Sequence, residues 1–123
     1  MRKEIEDWWK QARKDSNVAR KLYEIRKYEH SSFWCQQATE KALKALLLDK
    51  KQELIKTHDL VLLAKKLDAP ENIVQLCKQL TSVYIETRYP GVSKDGFRKF
   101  TKKETEEDIK TMGGILKWVR ENL

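Results

Sequence analysis

The chain has 123 residues, of which 37% are charged and 40% hydrophobic, and its 26 lysines and arginines outnumber 19 aspartates and glutamates for a net charge of +7. That is one domain's worth of sequence, able to bury roughly two thirds of its unfolded surface without a metal or disulfide staple. No apolar run approaches the roughly 20 residues of a bilayer span, and the start MRKEIEDWWK is not a signal peptide, so a helical membrane protein is excluded and the expected setting is the cytoplasm.

The first predicted helix covers about Arg2 to Arg26, where Ile5, Trp8, Trp9, Ala12, Ser16, Ala19, Leu22 and Tyr23 follow three-four spacing. A turn is expected around Tyr28 to Ser32, with Ser31 or Ser32 capping the next helix, which runs to about Asp49. Within it, the 100° step per residue puts Gln37, Glu40, Lys41 and Lys44 on one stripe and Ala38, Ala42, Ala45 and Leu46 on another. A core helix needs no such polar stripe. It is either a solvated face with supporting pairs such as Glu40 with Lys44, or a polar groove.

After a polar loop, Thr57 is the expected cap of a short third helix with buried Leu60, Leu63, Ala64 and Leu67. Pro70 opens a fourth helix in which Ile73, Cys77, Leu80 and Tyr84 lead onto Arg88, placing an arginine at the end of an apolar stripe. Tyr89-Pro90-Gly91 breaks that helix, and Asp95-Gly96 adds a second turn signal. The last helix opens with the capping box Thr101-Lys102-Lys103-Glu104 and carries Ile109, Met112, Leu116, Val119 and Leu123 inward. With no alternating, strand-like segment, the expectation is one all-α domain over residues 1–123, an antiparallel up-and-down bundle of four long helices and one short one.

Charge concentrates at the two ends. Lysine and arginine stand at 12 against 8 acids up to Lys50, 5 against 5 from Lys51 to Thr87, and 9 against 6 from Arg88 onward. This suits nucleic acid or an acidic partner, or equally the lysine- and glutamate-rich ion-pair networks of thermophile proteins. In the loop from Tyr89 to Lys103, Tyr89, Phe97 and Phe100 alternate with Lys94, Arg98, Lys99, Lys102 and Lys103, a pattern suited to stacking on unpaired bases. Anchoring of the loop by Phe97 and Phe100 is the favoured alternative. Arg88 offers a fork of donors for a phosphate or a partner's carboxylate; pairing with Asp15 or Glu40 at the bundle's rim is the favoured structural role.

His30 and His58 lack further ligating side chains at helical spacing, so no metal site or cofactor is expected, and His58 is read as ordering its turn. Asp59 suits the positive end of the third helix. Cys35 and Cys77 lie on apolar faces and read as buried thiols. Trp8 and Trp9 point about 100° apart, so one reaches the core's edge or a dimer interface. Gly113 and Gly114 sit inside the last helix at a cost of roughly 2 kcal/mol, to be offset by a close neighbour or expressed as a kink.

The stripe Gln37, Glu40, Lys41 and Lys44, the turn Thr57-His58-Asp59-Leu60, the step Arg88-Tyr89-Pro90 and the spacing Ala12, Asp15, Ala19 together resemble the HEPN family of small helical domains. The resemblance implies a four- or five-helix bundle, usually homodimeric, often encoded beside a minimal nucleotidyltransferase and tied to nucleotide or RNA biology. It also implies that many relatives are metal-independent ribonucleases using an arginine followed four to six residues later by a histidine. Here Arg88 is followed by Tyr89, Pro90, Gly91, Val92, Ser93 and Lys94, with no histidine. Loss of a positioned acid or base typically costs roughly 10² to 10⁴-fold, and Tyr89 and Lys94, with ordinary pKa values near 10, are poor substitutes.

The resulting expectation is a non-catalytic binding module for nucleotide or RNA, working with a minimal nucleotidyltransferase, whose site residues are Arg88, Tyr89, Gln37, Glu40, Lys41, Lys44, Lys94, Phe97, Arg98 and Lys99. The alternatives are a divergent, toxin-like, metal-independent ribonuclease and a purely structural homodimer.

Overall fold

The three-four apolar spacing closes into helices along most of the chain. The computed structural model describes residues 2–89 and 100–123, in which six helices follow in the order α1 (Lys3–Glu24), α2 (Tyr28–Lys51), α3 (Leu60–Lys66), α4 (Glu71–Thr81), α5 (Val83–Arg88) and α6 (Lys102–Asn122). The described residues contain no strand, so the all-α reading holds. None of their helices is long and apolar enough to cross a membrane.

α1 and α2 form an antiparallel hairpin, with the Ser31 hydroxyl donating to the Ala19 carbonyl at 2.7 Å near the turn and the Arg2 guanidinium to the Leu48 carbonyl at 3.2 Å near the open end. The turn is tighter and earlier than the serines suggest. Arg26 takes a left-handed conformation, φ 64°, which reverses the chain so sharply that α2 already starts at Tyr28. Ser31 and Ser32 are therefore buried inside α2 rather than capping it. The Ser32 hydroxyl donates to Asp108 at 2.8 Å and lies 2.9 Å from that of Thr105, tying the start of α2 to α6.

Two more expectations are corrected. The cap of α3 is Asp59, whose carboxylate accepts from the backbone N–H groups of Val61 and Leu62, while the Thr57 hydroxyl accepts from that of Asp59. The single helix expected from Pro70 to Arg88 breaks at Ser82 into α4 and α5. At the break the Thr81 hydroxyl turns toward α3, accepting from Leu60 N–H at 2.9 Å and donating to Asp59 at 3.3 Å. Three long helices thus accompany one of 11 residues and two short ones.

α2 is the central helix, touching α1, α3, α4, α5 and α6. Leu43, Leu46 and Leu47 from α2, Leu63 from α3, Leu80 from α4, and Met112 and Ile115 from α6 make the heart of the core. Fully burying such side chains stabilises the fold by about 1.5–3 kcal/mol each, so this inner layer outweighs the surface charge pattern. Cys35 and Cys77 are buried free thiols; burial pushes Cys35 up strongly and Cys77 to about 12.

Gly114 lets α4 approach α6, since a Cβ there would lie 3.3 Å from Leu76 Cδ1. Thr101 caps α6 by accepting from Glu104 N–H at 3.1 Å, and Phe100 packs on the core just before it.

Candidate functional site

The α2 stripe is largely spent inside the protein. Glu40 and Lys44 are buried and paired at 3.0 Å, which excludes a solvated face at these two positions. Glu40 is the hub of a network: its Oε2 accepts from Lys44, and its Oε1 accepts from Gln36 Nε2 at 3.3 Å and from His58 Nδ1 at 2.8 Å. Gln36 also donates to the His58 carbonyl at 3.2 Å, and Gln37 donates to Gln36 at 2.7 Å. One turn along, Lys41 pairs with buried Asp15 of α1, which also accepts from Gln11 at 2.9 Å. A carboxylate this deep is tolerated only when donors meet both oxygens, and both Asp15 and Glu40 satisfy that condition.

The tryptophans complete this arrangement. Lys44 Nζ lies 5.9 Å from the Trp8 ring and Lys41 Nζ 5.7 Å from the Trp34 ring. Trp8 and Trp9 do diverge as their spacing requires, Trp9 packing on the core while Trp8 lines a shallow cleft with Lys41.

His58 does more than order a turn. A carboxylate oxygen only accepts, so the Glu40 contact makes Nδ1 the donor and leaves Nε2 for other partners. The His58 ring stacks on Tyr84 with centroids 3.8 Å apart and planes 12° off parallel. Tyr84 then leads to Arg88, one helical turn on, whose guanidinium carbon lies 5.5 Å from the rings of both Tyr84 and Phe33.

The expected pairing of Arg88 with Asp15 or Glu40 does not occur, because Lys41 and Gln11 occupy the first and Lys44, Gln36 and His58 the second. Among the described residues Arg88 has no ion pair. Aromatic faces hold the cation without consuming its hydrogen-bond donors.

Two open clefts flank this aromatic strip. A 470 Å³ cleft is lined by His58, Asp59, Thr81, Tyr84, Ile85 and Tyr89, and a 270 Å³ cleft by Glu29, His30, Phe33, Trp34, Thr87 and Arg88. Tyr89 is exposed, at 55%, and belongs to the first. Lys94, Phe97, Arg98 and Lys99 lie outside the described residues. No group of three or more histidine, cysteine or acidic side chains fit to hold a metal occurs among the described residues.

The structure thus joins Glu40 to Arg88 through His58 and Tyr84, and turns Lys41 away toward α1. The one-turn spacing of Tyr84 and Arg88 was legible in sequence. Phe33, Gln36 and the Glu40 to His58 bond were not, because each depends on α2 and the turn before α3 meeting in space.

A family model described as the HEPN domain matches residues 5–122. The protein TT1696 from Thermus thermophilus has a crystal structure that superposes with a TM-score of 0.89 at 33% identity, over 99% of this chain and 100% of that one. ST0689, described as an archaeal HEPN homologue, superposes with a TM-score of 0.82 at 33% identity, covering 98% of each chain. No curated protein matches the sequence.

Proposed function

The chain belongs to the HEPN family, and from that premise we propose that it is a non-catalytic binding module that takes nucleotide or RNA phosphate at Arg88 and works as a homodimer beside a minimal nucleotidyltransferase. The observation that carries this reading is the state of Arg88: exposed, laid against Phe33 and Tyr84, and without an ion pair among the described residues. A guanidinium so placed keeps its fork of donors available for a phosphate, and the exposed Tyr89 ring that follows it in the chain offers a face to a base. The net charge of +7 favours the same class of ligand.

The test is equilibrium binding of labelled oligonucleotide and of nucleotide to the parent and to Arg88→Ala, with melting curves alongside. Weaker binding by a variant that melts like the parent supports the module, and equal affinity removes Arg88 from the site. Co-purification from the native cells then names the partner: a stoichiometric nucleotidyltransferase is the expected companion, and a bare homodimer argues against it.

One observation favours the ribonuclease alternative. The Glu40-oriented His58 ring and Arg88 both contact the Tyr84 ring, so a histidine from a different part of the chain than the family spacing supplies is linked to the arginine through one tyrosine. That reading requires RNA cleavage without added metal that both His58→Ala and Arg88→Ala abolish; RNA left intact after prolonged incubation rules it out.

A further inference from the structure

A further cleft, of 460 Å³, opens between α1 and α6 and shares no residue with the two beside Tyr84. Arg13 and Arg20 line it from α1, Lys117 and Arg120 from α6, with Trp9 and Gly113 between them. We propose that this cleft binds the backbone of a single-stranded nucleic acid.

None of the four cations has an ion pair among the described residues, and all four are exposed. Gathering like charges across two helices raises the energy of the folded state, and a polyanion relieves that repulsion. Spacing narrows the ligand further. Arg13 and Arg20 are two turns apart on one face, about 10 Å along the axis at 1.5 Å per residue. A single phosphate reaches one end of that row, whereas a strand presents phosphates to both.

Trp9 supplies the second criterion. It borders the cleft, and an aromatic wall beside a row of cations suits a strand with unpaired bases, whereas a duplex keeps its base faces stacked internally.

Gly113 is the third. A Cβ built there would meet Arg20 Nη2 at 3.7 Å, an ordinary contact, so alanine fits and packing within the chain does not demand glycine. Gly114 differs, being pressed against Leu76 at 3.3 Å. Glycine lowers helix stability relative to alanine, and Gly113 lines the cleft.

The experiment is fluorescence anisotropy with a labelled oligouridylate over a salt series. The parent is expected to bind with an affinity that falls steeply with salt. Arg13→Glu combined with Arg120→Glu, both exposed sites, should lower affinity roughly tenfold or more and flatten the log-log salt slope by about 1.4, at about 0.7 for each phosphate no longer neutralised.

Gly113→Leu should weaken binding by filling the cleft while melting no lower than the parent. Unchanged affinity in either variant overturns the proposal, and so does displacement of the oligomer by an equimolar nucleoside triphosphate, which would make the ligand a small polyphosphate. The outcome is separable from the Arg88 reading: oligomer binding lost in Arg88→Ala and intact in the double variant supports that reading and overturns this one.

Discussion

Two charged regions lead to the same tyrosine, Arg88 from one helical turn along α5 and Glu40 through the His58 ring, and have opposite fates. Along α2, Glu40 and Lys44 are buried, and every oxygen of Glu40 has a donor. At the end of α5, Arg88 is exposed and held by two ring faces without an ion pair among the described residues. The first region has used its bonding capacity to fix helices to one another; the second has kept its capacity for something else. Burial decides the difference, because a charge taken out of water must find a partner within the fold and an exposed one need not.

The sharpest way to break this comparison is at its buried side. Glu40→Ala leaves Lys44 buried without its partner and should cost about 3–5 kcal/mol of stability, read as a lowered midpoint in urea unfolding. A loss below about 1 kcal/mol would mean that the network is not structural. Asp15→Ala should cost less, about 1–3 kcal/mol, because its partner Lys41 is 21% exposed and can turn to water.

Arg88→Ala sharpens the other side. Its stability cost should stay within about 1 kcal/mol, the worth of an exposed cation on an aromatic face, while nucleotide or oligonucleotide affinity falls about tenfold. A large stability loss with intact binding would move Arg88 into the structural class. The smallest effect is expected far from both regions, at Arg26, where glycine accepts the left-handed backbone that arginine resists; Arg26→Gly should raise stability by up to about 1 kcal/mol in thermal unfolding.

These contrasts mark how much was legible beforehand. The apolar spacing placed every long helix and most of the core, and the pair of Glu40 with Lys44 followed from their separation along a helix. The tight turn at Arg26 was invisible because arginine carries no turn signal, and the serines that looked like caps had an inward role instead. Asp59 displaced Thr57 as the cap because its carboxylate reaches two amides of α3 from where the chain enters the helix.

Sequence by itself determined the all-helical class and the faces that go inward, because these rest on periodicity and on residues within a turn or two of each other; the family was legible only as a resemblance of short motifs spread from Ala12 to Pro90. Tertiary structure alone decided which charges are consumed. Whether Asp15 meets Lys41 or Arg88, whether His58 reaches Glu40, and whether Arg13 faces Lys117 across a cleft depend on helices distant in sequence packing at one angle. Pairing energies act over a few ångströms, and between residues on different helices no spacing along the chain encodes that distance.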